Sequence, residues 1–145
     1  MAKVLYHNPV FGDRGLRHVF RSCFSNFFSQ CYAELKGNNL HPASTLNYAR
    51  EELTKNNIDV VFLTVHESNS SGLELLGDLD KKDVKLPVFF CRSRKDILDL
   101  PNVQAYSNIC GRFEDMYAAM KSEPFNRVVE EIKRRDSLYK EPTLL

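Results

Sequence analysis

The side chains of this chain best equipped for chemistry are His7, His66, Cys91, Arg92 and Cys110, each at or just past a run of apolar, β-type residues. Imidazole and thiolate are the donors that zinc and redox metals prefer, and a guanidinium recognises phosphate-type anions. The spacing, however, fits no ligand motif: Cys23, Cys31, Cys91 and Cys110 form no CxxC pair. Cysteine is often a small buried hydrophobe and a lone histidine is commonly just hydrogen-bonded, so unrelated side chains gathered at a strand edge are favoured over a metal or redox site. No metal or cofactor is therefore expected. Thr64 is an alcohol with no strong base beside it in sequence, and it reads as an ordinary packed β-branched residue. Without a nucleophile next to a base, a glycine-rich phosphate loop or paired carboxylates, the chain is not expected to be an enzyme.

The elements that would position these groups alternate between strand and helix, the mark of an α/β sheet with mostly parallel strands. Residues 58–65 are a continuous β-branched and aromatic run of the kind a parallel sheet buries on both faces, and residues 86–91 form its expected neighbour. A first strand is predicted over residues 3–8. Leu16, Val19, Phe20, Cys23, Phe24 and Phe27 give residues 14–28 one apolar helical face. A second, weakly patterned strand is predicted over residues 30–36, ended by a turn at Gly37, Asn38 and Asn39. Leu46, Ala49 and Leu53 mark the next helix. Residues 103–109 are read as strand five. Only residues 94–102 remain for a fourth helix, and Pro101 shortens it to a single turn or nothing.

A length of 145 residues with 43% hydrophobic content fits one domain with a real core. A net charge of +1 argues against a nucleic-acid footprint, which needs a strongly basic balance. No run of eighteen apolar residues exists to span a membrane. With no CxxC pair and no apolar signal segment, a reducing cytoplasm is the expected compartment.

The segment 59–76, DVVFLTVHESNSSGLELL, resembles the centre of a response-regulator receiver domain, and Leu86-Pro87-Val88-Phe89-Phe90 resembles that family's fourth strand. The resemblance spans about residues 3–120 and implies a three-layer α/β/α, flavodoxin-like (CheY-like) sheet of five parallel strands in the order 2-1-3-4-5. It also implies a reactive Asp eight residues before the helix-opening Gly, and counting back from Gly72 lands on Thr64. The family's Mg²⁺-holding acids fall on His7 and Asn8, or on Asn8 and Pro9 if the first helix sets the register. Its phosphoryl-binding Thr or Ser falls on Arg92, with Ser93 one residue away. Its Lys-Pro falls on Ile109 and Cys110 when Tyr106 is matched to the switch aromatic. Each position is wrong for phosphotransfer, which identifies the chain as similar to a degenerate pseudo-receiver.

Beyond strand five, Phe113, Met116, Tyr117 and Met120 recur at helical spacing, and Ser122-Glu123-Pro124 reads as a stop and a fresh start. The helix that follows, residues 124–138, has Phe125, Val128, Val129 and Ile132 as one stripe, with charged residues opposite. Phe113, Met116, Tyr117, Met120, Phe125, Val129 and Ile132 are the candidate interaction surface, for a protein partner or a second copy. Residues 1–138 then form the pseudo-receiver domain. Residues 139–145 read as a tail or a truncated linker, which would make this the N-terminal regulatory part of a longer regulator. The expected function is a phosphorylation-independent protein-interaction module in two-component signalling; the alternative is a small-ligand or metal sensor using His7, His66, Cys91, Arg92 and Cys110.

Overall fold

The computed structural model describes residues 2–9, 39–43, 45–66 and 69–140. Five strands, β1 (Lys3–His7), β2 (Asn39–Ala43), β3 (Val60–Leu63), β4 (Val88–Cys91) and β5 (Ile109–Phe113), form one sheet in the order β2-β1-β3-β4-β5, and every neighbouring pair is parallel. Around it, among the described residues, lie α1 (Leu46–Lys55), α2 (Ser71–Asp80), α3 (Pro101–Ala105), α4 (Met116–Met120) and α5 (Glu123–Lys140), with a 3₁₀ turn at Ile97–Asp99. This is the α/β/α architecture and strand order expected from the sequence.

Because β3 and β4 are covered on both faces, all eight of their residues are buried and apolar, which is why they read as unbroken hydrophobic runs. Alternate side chains divide into two cores. Val4, Tyr6, Val60, Phe62, Phe89 and Cys91 face α4 and α5, where they meet Met116, Met120, Phe125 and Ile132. Leu5, Val61, Leu63, Val88 and Phe90 face the other way, toward Ala49 of α1, Leu75, Leu76 and Leu79 of α2, and Val103 of α3. On the first face Phe62, Phe89 and Phe125 make edge-to-face contacts with ring centroids 5.3, 5.6 and 5.9 Å apart.

Several boundaries differ from expectation. The strand beside β1 is Asn39–Ala43, so Asn39 opens a strand instead of closing a turn; residues 30–36 and 14–28 lie outside the described residues. Pro42 is tolerated there because β2 is an edge strand with one neighbour. Pro101 begins α3 rather than ending a helix, since the first helical position has no use for the missing N–H. Val103 therefore belongs to α3, and β5 starts only at Ile109. The fourth helical segment is short, as expected. The last helix runs from Glu123 to Lys140, and Ser122 caps it, its Oγ accepting a bond from the Phe125 N–H at 3.4 Å.

Candidate functional site

Doubly wound sheets take ligands outside the carboxyl ends of their strands. In this protein that edge is also where the buried polarity sits. Among the described residues the buried polar side chains are His7 (0% exposed), Asn8 (3%), Thr64 (0%) and Ser93 (4%), and all four lie at the ends of β1, β3 and β4.

Each of them is engaged. Thr64 Oγ1 donates to the Cys91 carbonyl at 2.7 Å, tying β3 to β4. Asn8 Nδ2 donates to the Tyr6 hydroxyl at 3.1 Å. Burial raises the Tyr6 phenol, with smaller opposing effects from its hydrogen bonds to Thr64 and Asn8, so the phenol stays neutral. His7 Nδ1 lies 2.8 Å from the Ala43 carbonyl and Nε2 lies 2.9 Å from Ser71 Oγ. A carbonyl only accepts, so Nδ1 carries the proton. Burial lowers the His7 pKa, the ring is neutral, and Nε2 accepts from the Ser71 hydroxyl at the start of α2. Ser93 Oγ accepts from the Val65 N–H at 3.0 Å and lies 3.2 Å from the Leu63 carbonyl. These bonds stitch β1, β2, β3, β4 and α2 together with neutral groups.

Gly72 lets α2 approach this edge closely. A Cβ there would lie 2.8 Å from Val65 Cγ2 and 3.4 Å from the Thr64 carbonyl.

Of the positions singled out in the sequence, His7, Asn8, Thr64 and Arg92 do converge on the carboxyl edge, while Ile109 does not. Ile109 pairs with Val88 at the opposite end of β4, and Cys110 follows it. The set His7, His66, Cys91, Arg92 and Cys110 is thus not assembled around one point. Burial also raises the Cys110 thiol, away from the thiolate a metal would need. Among the described residues no group of three His, Cys, Asp or Glu side chains is arranged to hold a metal ion. The described residues do not fit a receiver-type Mg²⁺ either, because its hard-oxygen coordination calls for carboxylates and those at the edge offer an engaged imidazole, an amide and alcohols.

Tyr106, the expected switch aromatic, is not on β5. It ends α3, buried, with its phenol pushed up to about 12 mainly by burial and donating to the Leu86 carbonyl at 2.7 Å. The candidate interaction surface is corrected in the same way: Met116, Met120, Phe125 and Ile132 are buried in the core under α5, and Phe113, Tyr117 and Val129 are only half-buried against it.

Two features escaped the sequence reading. Arg92 has φ +52°, the left-handed region, which turns its exposed side chain outward while Ser93 turns in. At the carboxyl end of β5, where the receiver resemblance places a lysine, stands Arg112, its Nε donating to the Ser93 carbonyl at 3.1 Å. Matching Tyr106 to the switch aromatic puts the lysine on Ile109, the first residue of β5, whereas Arg112 stands near its end.

No family model matches the chain. No curated protein matches it. Among solved structures it is similar to a response regulator receiver domain protein from Clostridium thermocellum, at 18% identity and TM-score 0.63, over 92% of this chain and 98% of that one. It is also similar to the response regulator TrrA from Thermotoga maritima, solved with Mg²⁺ and BeF, at 16% identity and TM-score 0.53 over the same shares. The chemotaxis response regulator CheY4 of Vibrio cholerae matches at 14% identity and TM-score 0.53, again over 92% of this chain and 98% of that one. At these identities the likeness establishes a receiver-type fold. No helix among the described residues is long and apolar enough to cross a membrane.

Proposed function

We propose that the chain is a pseudo-receiver, a signalling module of receiver fold that acts through protein contact without an aspartyl phosphate. The observation that carries this is Thr64, which stands fully buried at the end of β3 with its hydroxyl committed to the Cys91 carbonyl. A neutral alcohol in that state offers no anionic oxygen to a phosphoryl donor. The neutral side chains His7 and Asn8 at the end of β1 support the same reading.

The surface we assign to docking is the β5 edge. β5 has one strand neighbour and all five of its residues are half-exposed. The α3 before it is only five residues long, and a strand edge without a second strand neighbour is a template for a partner, whether another protein or a second copy.

The test is intact-mass measurement after incubation with acetyl phosphate and Mg²⁺, combined with light scattering over a concentration range with and without beryllofluoride. The expected result is no phosphoryl adduct and a solution mass indifferent to the mimic. An adduct, or a mass that shifts with beryllofluoride, would overturn the proposal.

A further inference from the structure

We propose that the cleft at the carboxyl ends of β4 and β5 binds the diphosphate group of a small molecule, held noncovalently by Arg92, Arg94, Lys95 and Arg112. The cleft, about 720 Å³, is lined by these four cations together with His66, Asp96 and Ser93. Among the described lining residues, four cations stand against one carboxylate, that of Asp96, a formal surplus of three positive charges in a chain whose net charge is only +1. A diphosphate carries about three negative charges near neutral pH by ordinary phosphate ionisation. The volume lies within the range of small-molecule sites, and the four cations dominate its described lining, so the phosphates are what the site grips.

The cations stand on fixed backbone. The Arg92 N–H donates to the Phe113 carbonyl at 3.1 Å and the Arg94 N–H to the Val65 carbonyl at 2.9 Å, so the segment after β4 is pinned to both neighbouring strands. Arg112 is oriented by its bond to the Ser93 carbonyl, and Arg94 by a two-pronged pair with Asp96 at 2.6 and 2.9 Å. Glu114, 4.0 Å from Arg112 and almost fully exposed, is a weak competitor for that guanidinium. Arg92 is in addition the one non-glycine residue with positive φ among the described residues. A left-handed arginine is unfavourable by itself, and such outliers concentrate at functional sites. Here that residue is exposed and lines the cleft. The cleft shares Arg112 with β5, while Arg92, Arg94 and Lys95 stand on the segment after β4, outside the edge assigned to docking.

The test is calorimetric titration of the full chain with sodium pyrophosphate, with orthophosphate and a hexaglutamate peptide at matched ionic strength as comparisons. One-to-one saturable binding of pyrophosphate is expected, at least about tenfold tighter than orthophosphate. Arg92→Gly and Arg112→Gln should each weaken it by about tenfold or more, the loss of one charge-assisted contact, while Lys133→Gln on α5 should leave it unchanged. Arg92→Gly should also raise Tm by roughly 2 °C, because glycine accepts the left-handed backbone. The proposal is overturned by absence of saturable binding, by orthophosphate or hexaglutamate binding as tightly, by unchanged affinity in either cleft variant, by an equal loss in Lys133→Gln, or by a fall in Tm for Arg92→Gly.

Discussion

Thr64→Asp places a carboxylate where, on the function proposed above, a receiver carries its phosphoacceptor, and this structure should reject it. Thr64 is fully buried and donates to the Cys91 carbonyl at 2.7 Å. A carboxylate can only accept, so the bond is lost, at about 1 kcal/mol, and two acceptors are left face to face. The nearby Tyr6 hydroxyl can offset part of the burial by donating one bond. A remaining shift of about two pH units in the introduced carboxyl adds about 3 kcal/mol. The sum, about 4 kcal/mol, is a large share of the 5–15 kcal/mol typical of a folded domain. The sign with pH is fixed by linkage: the unfolded carboxyl titrates near 3.9, the folded one higher, so the folded state holds the proton longer. Stability then falls as pH rises from about 4 to the folded value and is flat beyond. Urea denaturation should therefore show a smaller deficit against wild type at about pH 5 than at about pH 8. Thr64→Val, which removes the hydroxyl without adding charge, should lose only about 1 kcal/mol. A Thr64→Asp protein as stable as wild type that also gains a Mg²⁺-dependent phosphoryl adduct would refute the reasoning, because the edge would then have retained its phosphotransfer geometry.

Further consequences can be checked by the same denaturation measurements. Gly72→Ala places a methyl 2.8 Å from the buried Val65 side chain and should destabilise by about 1–2 kcal/mol, overpacking exceeding the gain in helix propensity. Gly77→Ala in the same helix meets nothing within 4 Å and should stabilise by about 1 kcal/mol; the same sign for both would show that α2 does not press on the end of β3 as described. Gly111 has φ +135°, a conformation almost confined to glycine, so Gly111→Ala should lose about 2 kcal/mol, and a neutral result would place the β4–β5 irregularity elsewhere. His7 is held below its usual 6.5 mainly by burial, so the unfolded chain takes up the proton first. Its contribution is whole above 6.5 and is lost as pH falls from there to the lower folded value, with a slope of at most about 1.4 kcal/mol per pH unit. His7→Asn should flatten that slope, and an unchanged slope would remove His7 as its source.

The sequence displayed those parts of the fold whose physics is local. Residues 60–63 and 88–91 are buried on both faces, so their apolar runs were unmistakable, and Gly72 with its following leucines fixed the register of Thr64 against the receiver pattern. β2 was hidden because Asn39-Leu40-His41-Pro42-Ala43 has no β-branched residue, and its strand state is imposed by pairing with β1. β5 was misplaced because Ile-Cys-Gly-Arg-Phe is interrupted by the register shift between Val88 and Phe89, while the stronger apolar pattern just before it belongs to α3. The apolar stripe of Met116, Met120, Phe125 and Ile132 was legible as a stripe, yet spacing alone does not distinguish a face that packs on the sheet from one that meets a partner. The inward turn of Ser93 depends on the positive φ of Arg92, which no propensity for arginine would suggest.

The closed polar edge and the open basic cleft have one electrostatic origin. In a receiver, cationic side chains at the sheet edge face carboxylates, and each sign limits the other. Here the described interior positions hold an imidazole, an amide and alcohols, each hydrogen-bonded, so no described buried anion needs a metal or a proton to be tolerated. Among the described residues, no carboxylate at the ends of β1 or β3 balances Arg92 and Arg112. Partly exposed cations crowded at one mouth repel one another modestly, since at an effective dielectric near 20 two charges about 8 Å apart interact by about 2 kcal/mol. That repulsion is relieved when an anion enters. An edge with neutral groups inside and cations outside favours a free anion, and placing acid inside should weaken anion binding outside. A variant tolerant of Asn8→Asp would provide the check: pyrophosphate affinity should fall severalfold, and an unchanged affinity would separate the two sites.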